Sequence, residues 1–274
     1  MRNTHDIIIK PRSGWQPVDL KELWAHRELL GFLVWRDVKI RYKQTVLGGL
    51  WAILQPLIGM LIFGALFSRV TNIRVEGPPY LLFVFAGLVP WTFFANAVSL
   101  SSNSIVGSEQ MIRKIYFPRM LMPLGSVLAL TFDMLICFGF MAVMMIYYQY
   151  ALTPSILLLP LFMLGSLLAA SGLGLLFSAL NVQYRDVKYI VPFIVQMGFF
   201  VTPIVYPVSA VPGNLAFLID LNPMTGLVEG YRHVLLGTSI SWLLVLKAML
   251  MSSGLFLAGL VLFRRMERNF ADVI

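Results

Sequence analysis

Long stretches without any charged residue dominate the pattern of polar and apolar positions along this chain. Residues 44–68, 77–108 and 189–219 are three such stretches, with 25, 32 and 31 residues. An α-helix needs about 20 predominantly apolar residues to cross the hydrocarbon core of a bilayer. The pattern therefore predicts an all-α integral membrane protein.

A fourth stretch, 120–184, is too long for one crossing and carries a single charge, Asp133. Residues 149–155 (QYALTPS) combine polar and helix-stopping residues, so we expect two helices on either side of them. A sixth helix covers the last apolar segment, which carries only Lys247. The predicted transmembrane helices are 48–68, 80–107, 120–148, 156–180, 189–206 and 241–263.

Two further segments are apolar but are not predicted to be transmembrane helices. Residues 20–45 place apolar side chains at helical spacing, which predicts an amphipathic interface helix on the cytoplasmic surface, or a plain lipid anchor. Its apolar stripe comprises Leu20, Leu23, Trp24, Val34, Trp35, Val38 and Tyr42. Residues 207–240 are interrupted by prolines and glycines, which favours re-entrant outer helices between the fifth and sixth spans over a structured external loop.

These segments define the predicted domain organisation. An N-terminal tail (1–19) precedes the interface helix (20–45), a transmembrane domain (46–265) and a C-terminal tail (266–274). With the N-terminus inside, the inner segments hold 17 Lys and Arg residues, and the outer ones hold 4, including Arg232. Because Lys and Arg concentrate on the cytoplasmic side, both termini are predicted to be cytoplasmic.

Composition agrees with a membrane protein. Hydrophobic residues make up 58% of the chain and charged residues 12%, about half the charged fraction of a soluble domain. The net charge of +8 is explained by membrane orientation, so we expect no nucleic acid partner. Cys137 is the only cysteine, which excludes an intrachain disulfide. The first 20 residues lack a secretory apolar run, so we expect no cleaved signal peptide.

Residues that would supply catalysis or energy are missing from the sequence. It contains no GxxxxGK[ST] phosphate loop, and its three histidines are far apart. We therefore expect no catalytic residue, no metal site and no cofactor in this chain. The one intramembrane acid is Asp133, about 21 Å along its helix from Arg119. It is interpreted either as a substrate or proton contact, or as a hydrogen-bonded carboxyl between helices.

The loop at 109–119 (EQMIRKIYFPR) is short, basic and aromatic. It predicts a short helix parallel to the membrane, which can dock into a groove of a cytosolic partner. An ordinary positively charged inner loop is the alternative.

Several motifs together resemble ABC-2 type permeases that export polysaccharides. They are RDVKIRYKQTVLGGLWAILQPL (36–57), IRKIYFPR (112–119), LNVQYRDVKYIVPFIVQ (180–196), TPIVYPV (202–208) and LNPMTGLVEGYR (221–232). They occur in the order and spacing of that family, over about 20–265. O-antigen, capsular polysaccharide and teichoic acid permeases look similar at this level.

The resemblance implies a homodimer that works with two copies of a cytosolic ABC ATPase subunit, which binds the ATP and Mg²⁺. It implies a multi-pass protein of the bacterial inner membrane, in contact with membrane lipids, and re-entrant gate helices at about 208–238. The residues it assigns to ATPase coupling are Glu109, Gln110, Arg113, Lys114, Ile115, Tyr116, Phe117 and Arg119, with Arg36, Asp37 and Arg41 of the interface helix.

The expected substrate is a lipid-linked glycan, most simply an O-antigen. Because sugar rings have weakly apolar faces, an aromatic channel lining is a reasonable hypothesis. The candidates are Trp91, Phe93, Phe94, Phe199, Phe200 and Tyr206, which could instead form an interfacial belt. Other readings are a teichoic acid, drug or small-lipid ABC-2 exporter, an ion-coupled transporter using Asp133, and a membrane lipid transferase.

Overall fold

The computed structural model describes residues 20–43, 48–70, 77–213, 216–267 and 270. All regular secondary structure in these ranges is helical. The α-helices are α1 Leu20–Ala25, α2 Arg27–Tyr42, α3 Leu50–Val70, α4 Tyr80–Asn103, α5 Glu109–Lys114, α6 Leu121–Tyr147, α7 Leu159–Gln183, α8 Val187–Val201, α9 Ala216–Asp220, α10 Pro223–Leu236 and α11 Trp242–Met266. Short 3₁₀ helices cover Val106–Ser108, Pro154–Leu158 and Val208–Ala210. The predicted N-terminal tail 1–19 lies outside the described residues, as do 268–269 and 271–274 of the predicted C-terminal tail 266–274.

Four helices among the described residues are long and apolar enough to cross a membrane. They are Tyr80–Asn103, Leu121–Tyr147, Pro154–Gln183 and Trp242–Met266. Each coincides with a predicted span, and the predicted break near 149–155 separates the second from the third. Two shorter apolar helices, Leu50–Leu66 and Val187–Val201, fall on the other two predicted spans.

The predicted fifth span, 189–206, is wrong at its outer end. The helix α8 stops at Val201 and holds 15 residues, about 22 Å at 1.5 Å per residue. Pro203 follows, and a residue that precedes proline is driven out of the helical conformation. Thr202 is accordingly extended, and its hydroxyl donates a hydrogen bond to the Gly198 carbonyl at 2.7 Å.

The centre of the bundle is α4, which is buried along most of its length. A helix that is apolar on all sides is expected to be enclosed by other helices, and α4 packs against α3, α6, α7, α8 and α10. The fold thus surrounds one span with the others.

Close glycine contacts join α7 to α11. A Cβ atom built on Gly259 would lie 2.2 Å from the Gly172 carbonyl oxygen, and one on Gly172 would lie 2.5 Å from the Leu255 backbone. Small residues let helix backbones approach in this way inside membranes, where van der Waals packing drives association.

The predicted interface helix differs from the observed one in two respects. It is broken at His26 into α1 and α2, and the side chains that α2 buries are Leu33 and Val38. Trp24 and Trp35, which the predicted stripe places with Val38, are exposed instead. The prediction assumed an unbroken helix on a flat surface, whereas α2 packs along the third span, α6.

The segment between α8 and α11, predicted to lie on the outer side, contains the helices α9 and α10. Asn222 caps α10 by accepting a hydrogen bond from the Met224 amide at 3.0 Å, and Pro223 occupies its first turn. Gly237 ends α10 with φ 64°, the left-handed conformation that favours glycine. Most residues of α10 are buried, so α10 is part of the core, whereas Phe217 and Leu218 of α9 are exposed.

Candidate functional site

The loop after α4 presents its side chains at the end of the bundle where α4 ends and α6 begins. Its helix α5 carries the Glu109–Arg113 ion pair, with Oε1 and Nη2 2.6 Å apart and both side chains well exposed. Gln110, Lys114 and Ile115 are exposed as well, and Tyr116 is 90% exposed. A short helix at this position was predicted, and it displays charged and aromatic groups together.

A buried side chain, Phe117, attaches this loop to the rest of the protein. Phe117 is only 4% exposed and joins a separate hydrophobic cluster with Leu33, Met120 and Phe263. Phe117, one of the predicted coupling residues, therefore anchors the loop, whereas its neighbour Tyr116 is exposed at the surface.

Arg119 ties the loop to the end of α11. The Arg119 amide donates to Glu267 Oε1 at 3.3 Å, and its Nη1 donates to the Glu267 carbonyl at 3.1 Å. The Arg119 guanidinium also lies 5.8 Å from the ring centre of the buried Phe270. These contacts join the loop to the end of α11, a link that the sequence pattern does not reveal.

The predicted interface residues Arg36 and Asp37 lie next to this loop. Arg36 Nη1 is 3.8 Å from the Met111 sulfur of α5, and Arg36 Nη2 is 2.8 Å from Asp37 Oδ1. The Ser126 hydroxyl of α6 donates to Asp37 Oδ2 at 3.2 Å. The α2 helix thus bridges α5 and α6, and the structure brings these two predicted residues to the α5 loop.

Arg41 is directed elsewhere, to the intramembrane acid. Its Nη1 lies 2.6 Å from Asp133 Oδ2, and the Tyr42 hydroxyl donates to Asp133 Oδ1. Burial, followed by the hydrogen bond to Asp133, raises the pKa of Tyr42 above its usual range. Of the two interpretations of Asp133, this geometry favours the hydrogen-bonded carboxyl between helices.

A groove of about 510 Å³ opens beside this ion pair, between α3, α4 and α6. Its walls include Trp51, Gln55, Phe93 and Asn96. The Asn96 side-chain amide donates to Gln55 Oε1 at 3.3 Å, which links α4 to α3.

The predicted channel aromatics fall into three places. Trp91, Phe94, Phe199 and Phe200 form a chain of ring contacts with neighbouring centroids 5.5–6.1 Å apart. Within it Trp91 and Phe94 are buried, while Phe200 is exposed. Phe93 lines the groove, and the Tyr206 hydroxyl donates to the Phe200 carbonyl at 3.0 Å. As a set they do not line one surface of the subunit.

One charged residue that was predicted on the outer side is fully buried. Arg232, predicted among the outer loop charges, is 0% exposed within α10. Its guanidinium donates to the carbonyls of Phe83, Pro203 and Ile204, and Nη1 lies 2.8 Å from Glu229 Oε1. Arg232 thus supplies hydrogen-bond donors to the backbone carbonyls that follow the end of α8.

An outer cavity of about 680 Å³ adjoins this site and is lined by Glu229, Ser209, Ser239 and Ser241. Within the described residues, no three His, Cys, Asp or Glu side chains are grouped so that they could hold a metal ion.

Comparison with known proteins identifies the family of this chain. Residues 28–236, from α2 through α10, match the ABC-2 type transporter family. The chain belongs to that family. The matched region contains the α5 loop, the Arg41–Asp133 pair and Arg232, so these features lie within its ABC-2 domain.

Relatives extend over nearly the whole chain. An O-antigen export system permease protein, RfbA of Klebsiella pneumoniae, is 29% identical over 252 residues, which cover 90% of this chain and 95% of that protein. RfbA of Myxococcus xanthus is 31% identical over 217 residues, with 78% and 83% covered. The polysialic acid transport protein KpsM of Escherichia coli is 24% identical over 243 residues, with 85% and 91% covered.

Proposed function

We propose that this ABC-2 chain is the membrane subunit of an ATP-driven exporter that moves a lipid-linked polysaccharide of the O-antigen type out of the cytoplasm. The observation that carries the proposal is the match to O-antigen export permeases over 90% of the chain. The similarity to a polysialic acid transport protein supports the broader substrate class of polysaccharides. Teichoic acid, drug and small-lipid exporters are the alternatives within the same family.

The proposal includes a separate ATPase subunit, present in two copies, that binds ATP and Mg²⁺. The chain itself has no phosphate loop, so its energy must come from a partner. The α5 loop offers a docking surface for that partner. Arg113, Lys114 and Tyr116 are exposed, while Phe117 and Arg119 contact other parts of the permease. A concavity of about 240 Å³ lined by 112–117 and Arg119 could take an acidic side chain.

The membrane arrangement follows from the same proposal. Six crossings, with both termini in the cytoplasm, put the α5 loop and the end of α11 on the ATPase side of a bacterial inner membrane. Four helices meet the length needed, and α3 and α8 complete the six if protein neighbours cover their ends. The α9–α10 segment then forms the re-entrant outer layer.

A homodimer is also part of the proposal. The exposed faces of α3 and α8 carry large apolar side chains, among them Leu61, Ile62, Phe193 and Phe200. Either lipid or a second copy must cover these faces in a membrane. A glycan path between two copies would bring Phe199 and Phe200 close to it.

Charge reversal at the α5 loop tests the coupling mechanism. In proteoliposomes that contain the permease and its ATPase, Arg113→Glu with Lys114→Glu should reduce polysaccharide export about tenfold or more, since docking at this surface is electrostatic. ATP hydrolysis should continue, so the amount exported per ATP falls. Export and hydrolysis are measured in the same vesicles.

The matched control reverses Arg185 and Lys188, two exposed basic residues in another predicted inner loop. It should leave the ratio of export to hydrolysis near that of the unmodified protein. Normal export and normal hydrolysis in the Arg113 and Lys114 variant would show that the α5 loop is not the coupling element. An unmodified complex that exports no polysaccharide, but exports a drug or small lipid, would overturn the proposed substrate.

A further inference from the structure

The groove between α3, α4 and α6 begins near one end of the helices that form it and reaches to Asp133, twelve residues into α6. Gln55 is five residues into α3, and Asn96 is seven residues before the end of α4. At 1.5 Å per residue these positions are about 8 Å and 11 Å from the helix ends. In the proposed topology, those ends face the cytoplasm. The groove therefore sits where a substrate would enter.

Two amide side chains in this groove are only partly hydrogen-bonded. The bond from Asn96 to Gln55 uses one amide hydrogen and one carbonyl oxygen of the pair. Each amide has two donors and an acceptor, so most of this capacity has no partner among the described residues. Polar groups within membrane-spanning helices are costly unless water or a ligand reaches them. The two amides therefore point to a polar occupant of the groove.

The charges of the groove cancel. Arg41 and Asp133 are 2.6 Å apart and neutralise each other, so the described residues that line the groove include no unpaired cation for a phosphate or another anion. A flat apolar surface is present as well, because Trp51 lines the groove and is 58% exposed. Amide donors and acceptors beside an exposed indole face suit a neutral ring with polar edges and apolar faces.

We infer that this groove is a subsite for one or two uncharged sugar residues of the transported glycan, with Trp51 as the stacking surface and Gln55 and Asn96 as hydrogen-bonding partners. The volume of about 510 Å³ is within the usual range for small-molecule sites. The inference rests on the proposed function and adds to it a place, inside each subunit, where sugar is recognised. A lipid phosphate is the competing occupant.

Photo-crosslinking tests the contact directly. A photoreactive phenylalanine analogue replaces Trp51 in the permease–ATPase complex, which is loaded with lipid-linked polysaccharide extracted from the cells that encode it. The control position is Leu61, which is 53% exposed on the same helix but does not line the groove. We expect glycan to be attached at position 51 at least threefold more than at position 61. Equal attachment at both positions would overturn the inference.

Substitution of the amides tests the energetics. The double variant Gln55→Leu with Asn96→Leu should raise the KM for polysaccharide-stimulated ATP hydrolysis about fivefold or more, with kcat little changed, because both amides lose their hydrogen bonds to the sugar. Leucine is favourable in lipid, so the variant should fold, and gel filtration checks this. Leu61→Ala should leave KM unchanged. An unchanged KM in the double variant would overturn the inference.

Two probes separate the possible ligands. Polysaccharide freed from its lipid should compete for crosslinking at position 51, whereas a polyprenyl phosphate that carries no sugar should not. The opposite result would assign the groove to the lipid phosphate and overturn the inference. If the unmodified complex exports no polysaccharide at all, the proposed function fails. If it exports polysaccharide while the variants behave normally, only the sugar subsite fails.

Discussion

Two sites at opposite ends of this bundle differ in whether their charged side chains are buried or exposed. At the end that the proposed topology places outside, here the outer end, Arg232 is fully buried and donates to three backbone carbonyls and to Glu229. At the opposite, proposed cytoplasmic end, Arg113 and Lys114 are exposed beside an exposed Tyr116. A buried charge that is hydrogen-bonded within one subunit stabilises that subunit, whereas exposed charges can contact another protein. The Arg232 site is therefore suited to internal stability, and the α5 loop to contact.

The largest effect that tests this contrast is expected from Arg232→Met. The substitution leaves Glu229 and the carbonyls of Phe83, Pro203 and Ile204 without their donor. Removing one partner of a buried charge pair typically costs about 3–5 kcal/mol. We expect strong loss of folded protein, measured by thermal unfolding in detergent and by yield in membranes. Arg185→Met, at an exposed site, is the control; similar stability of the two variants would remove the contrast.

A smaller effect is expected from Gly226→Ala in α10. The added Cβ would lie 2.6 Å from the Leu244 carbonyl oxygen, and a backbone atom cannot move aside cheaply. Overpacking of this kind costs about 1–3 kcal/mol. The cytoplasmic control is Gly107→Ala, because nothing lies within 4 Å of a Cβ at that position. Equal melting temperatures for the two variants would show that the outer end is no more tightly packed.

The smallest effect on stability is expected from Tyr116→Ala, with the largest effect on association. A side chain that is 90% exposed contributes little to folding, so the free energy of unfolding should change by less than about 0.5 kcal/mol. An exposed tyrosine at an interface can be a binding hot spot, and its loss should weaken ATPase binding about tenfold or more. Titration of the ATPase onto the immobilised permease measures this.

Tyr147→Ala provides the matched comparison, since Tyr147 is 81% exposed at the other end of α6. We expect normal ATPase binding for this variant. If Tyr116→Ala also binds normally, or if it unfolds as readily as Arg232→Met, the division between the two ends does not hold.

Much of the fold could be predicted because its main signal is local. Charge-free lengths located four helices that meet the length for a span, and the polar break at 149–155 separated two of them. The start of α10 was not predicted, because Pro223 was interpreted only as an interruption, although Asn222 and Pro223 are standard residues for a helix N-terminus. The extent of α8 was misjudged because Thr202 and Pro203 lie in an apolar run, and apolarity alone does not say whether a run is helical.

The site was less predictable because its contacts are distant in sequence. Asp133 is neutralised by Arg41, 92 residues earlier, and Arg232 bonds the carbonyl of Phe83, 149 residues earlier. No periodicity relates such positions. The sequence located the exposed α5 loop through its charge and aromatic content, but the burial of Phe117 and the bond from Arg119 to Glu267 depend on how the helix ends meet.

Tyr116 and Phe117 have a consequence for how force could pass through this protein. One is almost fully exposed and the other almost fully buried, although a single peptide bond joins them. Phe117 shares its cluster with Leu33 of α2, Leu175 of α7 and Phe263 of α11. A displacement of Tyr116 by a partner would therefore move Phe117, and through this cluster it would be transmitted to three other helices.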